Sequence, residues 1–289
     1  LGNQQLYNMP FKFNVKGKVD QEVLKNALTG MVQKHSILRT VFVEEPYVHQ
    51  VVKDVFEVPF IYEDLRYLNR YEAEQYIENR LQHEVDRHFS LVNGPLFNVA
   101  LYQIEECVFV LICNFHHIIF DGVSFDLFFK ELLKSYECDQ LDIPTDDSAF
   151  PMQYVDFAYW QKELMETNDT YQESFWKGFL NQEEEILALP LDFRRTNYPT
   201  FAGSRLETIL PKSLQKLINK ALKNSKTTLF IYMMTAYQVF LTRYTGKSDV
   251  VIGSTAANRT EEAFANTIGC FVNTLPYKLS VSEEDSFAN

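Results

Sequence analysis

NFHHIIFDG, residues 114–122, joins two apolar segments of different periodicity. The segment before it, residues 108–113, is continuously apolar, which predicts a buried strand. The segment after it, residues 123–133, has apolar side chains at helical spacing. The predicted core positions of that helix are Phe125, Leu127, Phe128, Leu132 and Leu133. The polar stretch therefore lies at a junction between strand and helix, where a rigid scaffold can hold side chains towards a cleft.

Two adjacent histidines, His116 and His117, are the most informative residues of this stretch. If the strand runs through this pair, the two imidazoles cannot both enter one site, because neighbouring side chains of a strand point to opposite faces. We expect one of them to be buried and structural and the other to face a cavity. Asp121 and Gly122 then turn the chain, because Asp tolerates turn geometry and Gly accepts a positive φ. Asp121 could also hold an arginine rather than touch a substrate.

The spacing His116-His117-x-x-x-Asp121-Gly122 resembles the HHxxxDG signature of the condensation domains of nonribosomal peptide synthetases. That superfamily also contains chloramphenicol acetyltransferase and other thioester-dependent acyltransferases. The resemblance implies that the second histidine, His117, is catalytic and that Asp121 forms a structural ion pair. His116 is then assigned to structure, and the backbone of Gly122 could approach an oxyanion.

Residues 34–42, KHSILRTVF, resemble the family's RHExLRTxF element, with Lys and Ser among the departures. Arg39 in this element allows two interpretations. It is either a solvated charge at the end of a strand or the partner of Asp121 in an Arg–carboxylate pair between distant segments. The resemblance favours the ion pair. Breaking such a partly buried pair would leave one charge unpaired, at a cost of roughly 3–5 kcal/mol.

Three further elements follow in the order of the family. Residues 153–161 resemble the YxDFAxW element, although their aromatic spacing also fits an ordinary amphipathic helix packed on a core. Residues 257–259 resemble the ANR element, and residues 268–275 resemble the IGxFVNT element. Five separated elements thus recur in order over nearly the whole chain, which makes the resemblance highly specific. The candidates for lining a substrate channel are Asn258, Arg259 and Asn273.

The predicted architecture is of the α/β (α+β) class, because strand and helix patterns alternate along the chain. Residues 96–104 and 108–115 should form a hairpin that delivers the histidines, and Asp20 should cap a helix. Residues 204–210 also have the pattern of a strand. The resemblance implies two chloramphenicol-acetyltransferase-like lobes in a V arrangement with the active site at their seam.

The two lobes are expected to comprise residues 1–180 and residues 181–289. Residues 189–195 contain a proline and resemble the linker between the lobes of a condensation domain. The family's opening aromatic-rich element would lie before Leu1, and its HQDxPFE element would lie after Asn289. We therefore expect a chain that is cut at both ends, with an incomplete second lobe.

Composition excludes several classes of function. The formal net charge of −12 and the lack of a basic cluster argue against a nucleic-acid partner, because phosphate binding needs clustered Lys and Arg. The sequence has neither an apolar run of membrane-spanning length nor a signal-peptide pattern, and its acidity suits a cytoplasmic protein. The 4 cysteines lie far apart without a C-x-x-C pair, so neither a metal site nor a disulfide scaffold is expected.

Three other roles for His117 are a metal ligand, the base of a Cys–His pair and a buried structural residue. A metal site built on His117 and Asp121 lacks an evident third ligand. A Cys–His nucleophile with Cys113 fails, because four residues of strand separate the two side chains by roughly 13 Å. A satisfied core histidine is the remaining alternative, and the resemblance argues against it.

The resemblance implies amide-bond formation between a donor acyl or peptidyl thioester and an acceptor aminoacyl thioester. Both reactants are borne on the phosphopantetheine arms of donor and acceptor peptidyl carrier proteins, so no cofactor is expected to bind directly. Neighbouring adenylation and carrier domains are the other expected partners. A histidine suits this reaction either as a general base for the amine or as a hydrogen-bonding positioner.

Three alternatives stay open. The chain could be a free-standing acyltransferase that uses coenzyme A or a single carrier, or an epimerisation domain, which shares the double histidine. It could also be a non-catalytic interaction module that kept the fold, although the intact HHxxxDG pattern argues against this. Adenylation or carrier domains beside the chain would favour a synthetase.

Overall fold

A computed structural model describes residues 4–141, 152–180, 187–194, 197–198, 203–282 and 284. The chain divides into two compact units. The first unit contains residues 1–167 and 257–273, and the second contains residues 168–256 and 274–289. The predicted lobe boundary at residue 180 stays a prediction, and Arg195 of the predicted linker lies outside the described residues.

The first unit carries most of the strands. These are β1 (Asn8–Lys16), β2 (Thr40–Val43), β3 (His49–Val52), β4 (Phe60–Asp64), β5 (Phe97–Glu105) and β6 (Val108–His116). Its helices are α1 (Gln21–Lys34), α2 (Arg70–Val85) and α3 (Gly122–Gln140), and α4 (Tyr154–Leu180) begins in it. The later elements are α5 (Lys212–Ser225), α6 (Leu229–Thr245), β7 (Asp249–Ala256) and β8 (Asn273–Ser280). The mixed α/β class is confirmed.

A four-stranded sheet in the order β1-β6-β5-β4 forms the centre of the first unit. β6 runs antiparallel to both of its neighbours, and β4 runs parallel to β5. The register places Asn8 opposite His116 in β1 and β6, and Phe97 opposite Phe115 in β5 and β6. The predicted hairpin of β5 and β6 is therefore confirmed, and the strand that leads to the histidines has a hydrogen-bonded neighbour on each side.

Helices cover both faces of this sheet. On one face, Leu111, Cys113 and Phe115 belong to a core that includes residues of α1 and α3. On the other face, Val110 and Ile112 pack with residues of α2. Because both faces are covered, β6 is apolar along most of its length instead of alternating between apolar and polar residues.

Local capping fixes where the helices of the first unit begin. Asp20 accepts hydrogen bonds from the backbone N–H groups of Glu22 and Val23, which confirms the predicted cap of α1. Asn69 and Glu72 form a reciprocal capping box at the start of α2. These caps satisfy N–H groups that have no partner within the helix.

Three local predictions are wrong. Leu133 is 61% exposed, because it lies next to the buried Leu132 and the helical turn carries it about 100° away from the core. Residues 204–210 form no strand, and Leu206 and Ile209 are almost fully exposed. Gly122 is the first residue of α3 and does not have a positive φ.

In the second unit, β7 and β8 form a two-stranded sheet. Gln238 of α6 is buried, and its amide donates to the carbonyl oxygens of Val250 in β7 and Leu279 in β8. This side chain therefore fastens α6 to both strands. Among the helices that the structure describes, none combines the length and the apolar character that a membrane crossing requires.

Candidate active site

The end of β6 separates the two histidines. β6 ends at His116, and His117 begins a 3-10 turn that continues to Ile119. The two imidazoles consequently have different surroundings: His116 is 3% exposed, whereas His117 is only partly buried. The expectation that one histidine is buried is confirmed, but the end of the strand and not strand alternation separates the pair. That His117 faces a cavity stays a prediction.

His116 is held by the turn that follows it. Its Nδ1 accepts a hydrogen bond from the backbone N–H of Ile118 at 3.1 Å, so this nitrogen carries no proton. The rings of Tyr7 and Phe89 lie against the imidazole. Burial, together with the smaller effect of the neighbouring His117, lowers the pKa of His116 to about 4. A neutral, enclosed imidazole that caps the backbone fits the structural role assigned to His116.

His117 presents its two ring nitrogens to different neighbours. Nδ1 lies 3.6 Å from Sγ of Cys270. Nε2 makes no hydrogen bond within the described ranges, and it is not one of the fully enclosed atoms that lack a partner. Of the two ring nitrogens, Nε2 is therefore the one without a protein partner in the described structure.

Cys270 is the cysteine beside His117, and the sequence did not indicate it. Cys113, which was weighed and rejected for this position, is enclosed in the core, where burial raises the pKa of its thiol. Cys270 occupies the variable position of the IGxFVNT-like element at residues 268–275. A variable position carries no pattern. The one signal in the sequence that could have pointed to Cys270 was the presence of a thiol within an element that resembles the family's.

Asp121 is fully buried, and both of its oxygens are satisfied. Oδ1 accepts from the backbone N–H of Ser124 at 2.7 Å, which caps α3. Oδ2 accepts from the backbone N–H of Phe271 at 3.1 Å. The carboxylate therefore fastens the residue 270 segment to the start of α3.

Arg259 is the cation that pairs with Asp121. Its Nη2 lies 3.2 Å from Oδ1 of Asp121, and its Nη1 donates to the carbonyl oxygens of Phe264 and Thr267. The guanidinium also lies over the ring of Phe271, 3.9 Å from the centroid. Burial lowers the pKa of Arg259, and the charge of Asp121 opposes that effect.

The predicted pair between Arg39 and Asp121 is wrong. Arg39 ends a 3-10 helix, Ser36–Arg39, and its Nη1 donates to the carbonyl oxygen of Lys53 at 2.8 Å. Asp121 already has a guanidinium partner in Arg259. The expectation of an ion pair between distant segments was correct in kind, but the sequence assigned it to the wrong arginine.

A close contact at Gly269 completes the support of this segment. A Cβ on Gly269 would lie 2.1 Å from Cδ2 of Tyr154, so only glycine allows the ring to pack there. Tyr154 donates its hydroxyl hydrogen to the carbonyl oxygen of Cys270 at 2.7 Å. The hydroxyl of Ser124 donates to the carbonyl oxygen of Gly269 and accepts from its N–H. Cys270 is thus held by side chains of α3 and α4.

The remaining predicted site residues are Gly122, Asn258 and Asn273, which lie on different segments of the chain. Gly122 is exposed at the start of α3, and a Cβ there would meet nothing within 4 Å. Asn258 precedes Arg259 with a left-handed φ of 53°, and Asn273 is exposed at the start of β8. Whether Asn258, Arg259 or Asn273 lines a channel stays a prediction. No group of three or more His, Cys, Asp or Glu side chains that could hold a metal ion occurs in the part of the chain that the structure describes.

The fold and this constellation define the chloramphenicol-acetyltransferase-like class: a mixed α/β fold with a double histidine at the end of a buried strand and an aspartate clamped by an arginine. A model of the Condensation domain family matches residues 1–289, and the chain belongs to this family. Members of the family are generally amide-bond-forming acyltransferases of nonribosomal peptide synthetases.

Similar proteins are large peptide synthases. The chain is 34% identical over 286 residues to surfactin synthase subunit 2 of Bacillus subtilis strain 168, a match that covers 98% of this chain and 8% of that protein. It is 31% identical over 284 residues to gramicidin S synthase 2 of Brevibacillus brevis, covering 97% of this chain and 6% of that protein. The chain therefore spans only a small part of either synthase.

A solved structure supports the fold. The X-domain from teicoplanin biosynthesis matches with a TM-score of 0.85 and 23% identity, over 98% of this chain and 63% of that chain. At this identity the likeness shows the fold alone.

Proposed function

We propose that this chain catalyses amide-bond formation between a donor acyl or peptidyl thioester and the amine of an acceptor aminoacyl thioester. The observation that carries the proposal is the position of His117. It is a partly exposed imidazole directly after a buried strand, with Nε2 free of hydrogen bonds in the described structure. Nδ1 contacts Cys270, whose neighbour Phe271 is hydrogen-bonded to the largely buried ion pair of Asp121 and Arg259. His117 is the proposed catalytic residue.

The reaction needs little more than alignment and control of one proton. A thiolate leaves readily, so the barrier lies mostly in bringing two tethered reactants together, which is worth about 7–11 kcal/mol in well-aligned cases. The attacking amine must also lose a proton as the carbon–nitrogen bond forms. His117 serves this step either as a general base or as a hydrogen-bonding positioner, and no covalent enzyme intermediate is required.

The buried pair of Asp121 and Arg259 holds together the two segments beside His117. It joins the start of α3 to the segment of residues 267–271, and both elements adjoin His117. The imidazole is thereby held in a fixed position, which reduces the entropic cost of aligning it with the reactants. Gly122 is the first residue of α3, so its backbone N–H has no partner within the helix and can donate to the oxyanion of the tetrahedral adduct.

The reactants in this proposal are delivered by partners. Donor and acceptor peptidyl carrier proteins bring the thioesters on their phosphopantetheine arms, and adenylation domains of the same synthetase load those carriers. The length of the similar synthases supports such neighbours. A cytoplasmic location belongs to the proposal, in keeping with the acidic composition.

Mass spectrometry of carrier-bound products tests the proposal in the intact protein that contains this chain, with both carriers loaded. We expect His117→Ala to reduce formation of the amide-linked product by about 10²–10⁴-fold if the imidazole is a general base, and by less if it is a positioner. The control is His88→Ala, since His88 lies outside the site, after the end of α2. Unchanged turnover in His117→Ala would show that the catalytic assignment is wrong.

The same experiment separates the alternatives. Turnover of a coenzyme A thioester without carriers would indicate a free-standing acyltransferase. Inversion of the donor residue without amide formation would indicate an epimerisation domain. An unmodified pair of loaded carriers that still binds the protein would indicate a non-catalytic interaction module.

A further inference from the structure

The thiol of Cys270 contacts one nitrogen of the His117 imidazole. Sγ lies 3.6 Å from Nδ1, which is hydrogen-bond range for sulphur. Tyr154 holds the carbonyl oxygen of Cys270, and Asp121 holds the next backbone N–H, that of Phe271. The backbone that carries the thiol is therefore held in place beside the imidazole.

The thiol of Cys270 is protonated at neutral pH. Burial, followed by the negative charge of Asp121, raises the pKa of this thiol to about 11. Cys270 is therefore neither a nucleophile nor a thiolate acceptor for an imidazole proton. It carries an S–H group in partly buried surroundings, and this group can donate a hydrogen bond.

The surroundings of the sulphur direct this hydrogen towards Nδ1. The backbone N–H of Val272 donates to Sγ and uses part of its weak accepting capacity. Within the described ranges, Nδ1 of His117 is the acceptor found within reach of the S–H group. The reverse arrangement, with Nδ1–H pointing at Sγ, would place two donors on one weak acceptor. It would also leave the S–H hydrogen without an acceptor among the described residues.

Building on the function proposed above, we propose that Cys270 is a positioning residue of the active site. Its S–H donates to Nδ1 of His117 and keeps the imidazole proton on Nε2. His117 then meets the reactants as a hydrogen-bond donor and not as a general base. This assignment chooses between the two roles that the sequence left open.

Amide formation balances in this arrangement without a proton passing through the imidazole. The amine lone pair forms the C–N bond at the thioester carbonyl carbon, and the electron pair of the C–S bond leaves with the sulphur. The proton that the amine loses ends on that sulphur as the free thiol. Nε2–H of His117 donates to the carbonyl oxygen while that oxygen carries negative charge.

The first test is ¹⁵N NMR of the protein labelled at histidine, with the His117 signals assigned by comparison with His117→Gln. We expect the chemical shifts at neutral pH to show a protonated Nε2 and an unprotonated Nδ1. Cys270→Ser should keep this tautomer, since a hydroxyl is also a donor, whereas Cys270→Ala should shift the signals towards a mixture. A protonated Nδ1 in the unaltered protein would overturn the proposal, as would signals that Cys270→Ala leaves unchanged.

The second test is the acid limb of the pH profile of kcat/KM for the acceptor. If His117 is a hydrogen-bond donor, only the amine of the acceptor must be deprotonated, so kcat/KM falls tenfold for each pH unit on the acid limb. If His117 is a general base, the imidazole must be unprotonated as well, so kcat/KM falls up to a hundredfold for each pH unit. The other titratable groups around the pair are His116, Asp121, Tyr154 and Arg259. We expect the tenfold slope, and the steeper one would overturn the donor role.

Turnover in the Cys270 variants gives the third readout. Loss of one hydrogen bond should reduce kcat in Cys270→Ala by about three- to tenfold, and Cys270→Ser should restore most of this loss. Equal turnover in all three proteins would contradict a positioning role. The NMR result does not depend on activity. An absent amide product with the expected tautomer would therefore count against the proposed function alone.

Discussion

Arg259 and Asp121 form an ion pair that is almost entirely enclosed: the side chain of Arg259 is 7% exposed and that of Asp121 is 0% exposed. Removing two charges from water is costly, and this cost is offset only when the remaining donors and acceptors are satisfied. Asp121 also accepts two backbone N–H groups, and Arg259 also donates to two backbone carbonyl oxygens, which leaves its Nε as the buried donor without a partner in the described structure. The pair is therefore one member of a network that joins α3 to residues 257–273.

Removing the cation from this pair should strongly destabilise the protein. Arg259→Met leaves the buried Asp121 carboxylate without its counter-charge, and we expect the free energy of unfolding to fall by about 3–5 kcal/mol. Arg39→Met is the matched control, because Arg39 bonds only one carbonyl oxygen in the described structure and should cost about 1 kcal/mol. Urea denaturation measures both. Equal losses in the two variants would contradict the assignment of Arg259 as the partner of Asp121.

The pH dependence of stability should report the enclosure of His116. Its pKa is about 4 in the folded protein, against a reference value of 6.5. Between these values the unfolded chain binds the additional proton, so a falling pH favours unfolding. The neutral His116 therefore adds its full contribution to the free energy of unfolding above pH 6.5. This contribution is lost as the pH falls to about 4, and the total loss is about 3 kcal/mol.

His116→Asn is the variant that isolates this effect. The amide oxygen of asparagine can accept the Ile118 N–H in place of Nδ1 but does not titrate. We expect the stability of the variant to change less between pH 7 and pH 4 than that of the unaltered protein, as measured by urea denaturation at several pH values. Parallel stability curves for the two proteins would show that His116 is not held neutral by the fold.

Gly269 should not tolerate a side chain. A Cβ at this position would lie 2.1 Å from the ring of Tyr154, so Gly269→Ala forces the ring or the backbone to move, at a cost of about 1–3 kcal/mol. Gly30→Ala in α1 is the control, because a Cβ there meets nothing and alanine favours the helix. Thermal unfolding should therefore shift downward in the first variant and not in the second. A Gly269→Ala protein as stable as the parent would contradict the packing described here.

The sequence predicted the parts of the site that depend on neighbours along the chain. The apolar run at residues 108–113 predicted the buried strand, although the end of that strand and not alternation separates His116 from His117. The cap at Asp20 and the hairpin of β5 and β6 were equally local. Each of these features is determined by residues of one continuous stretch of sequence, so a local pattern is enough to predict it.

The partners of the site residues could not be predicted in the same way. Asp121 meets Arg259 across 138 positions, and His117 meets Cys270 across 153 positions. Both members of each pair are in the sequence, but only tertiary packing determines which arginine contacts Asp121 and which cysteine contacts His117. The predicted strand at residues 204–210 failed for a related reason: alternation gives a strand only where a neighbouring strand accepts its backbone hydrogen bonds.

Glu131 of α3 should contribute stability that depends on pH. It lies 2.8 Å from Nε2 of the buried His35 and also pairs with Lys34, both at the end of α1. Burial raises the pKa of Glu131, but the hydrogen bonds from His35 and Lys34 outweigh burial and bring it to about 2. A carboxylate with a lowered pKa stabilises the fold above its unfolded value near 4.5, and this contribution is lost as the pH falls towards 2.

Glu131→Gln removes the charge while keeping the shape of the side chain. We expect it to lower the free energy of unfolding by about 1–3 kcal/mol at pH 7, because His35 and Lys34 lose a charged acceptor. Glu137→Gln, on the same helix, should change it by less than about 0.5 kcal/mol. The difference between the Glu131 variant and the parent should shrink below pH 4.5, where the parent carboxylate itself becomes protonated. A difference that stays constant from pH 7 to pH 3 would mean that the charge of Glu131 does not join α3 to α1.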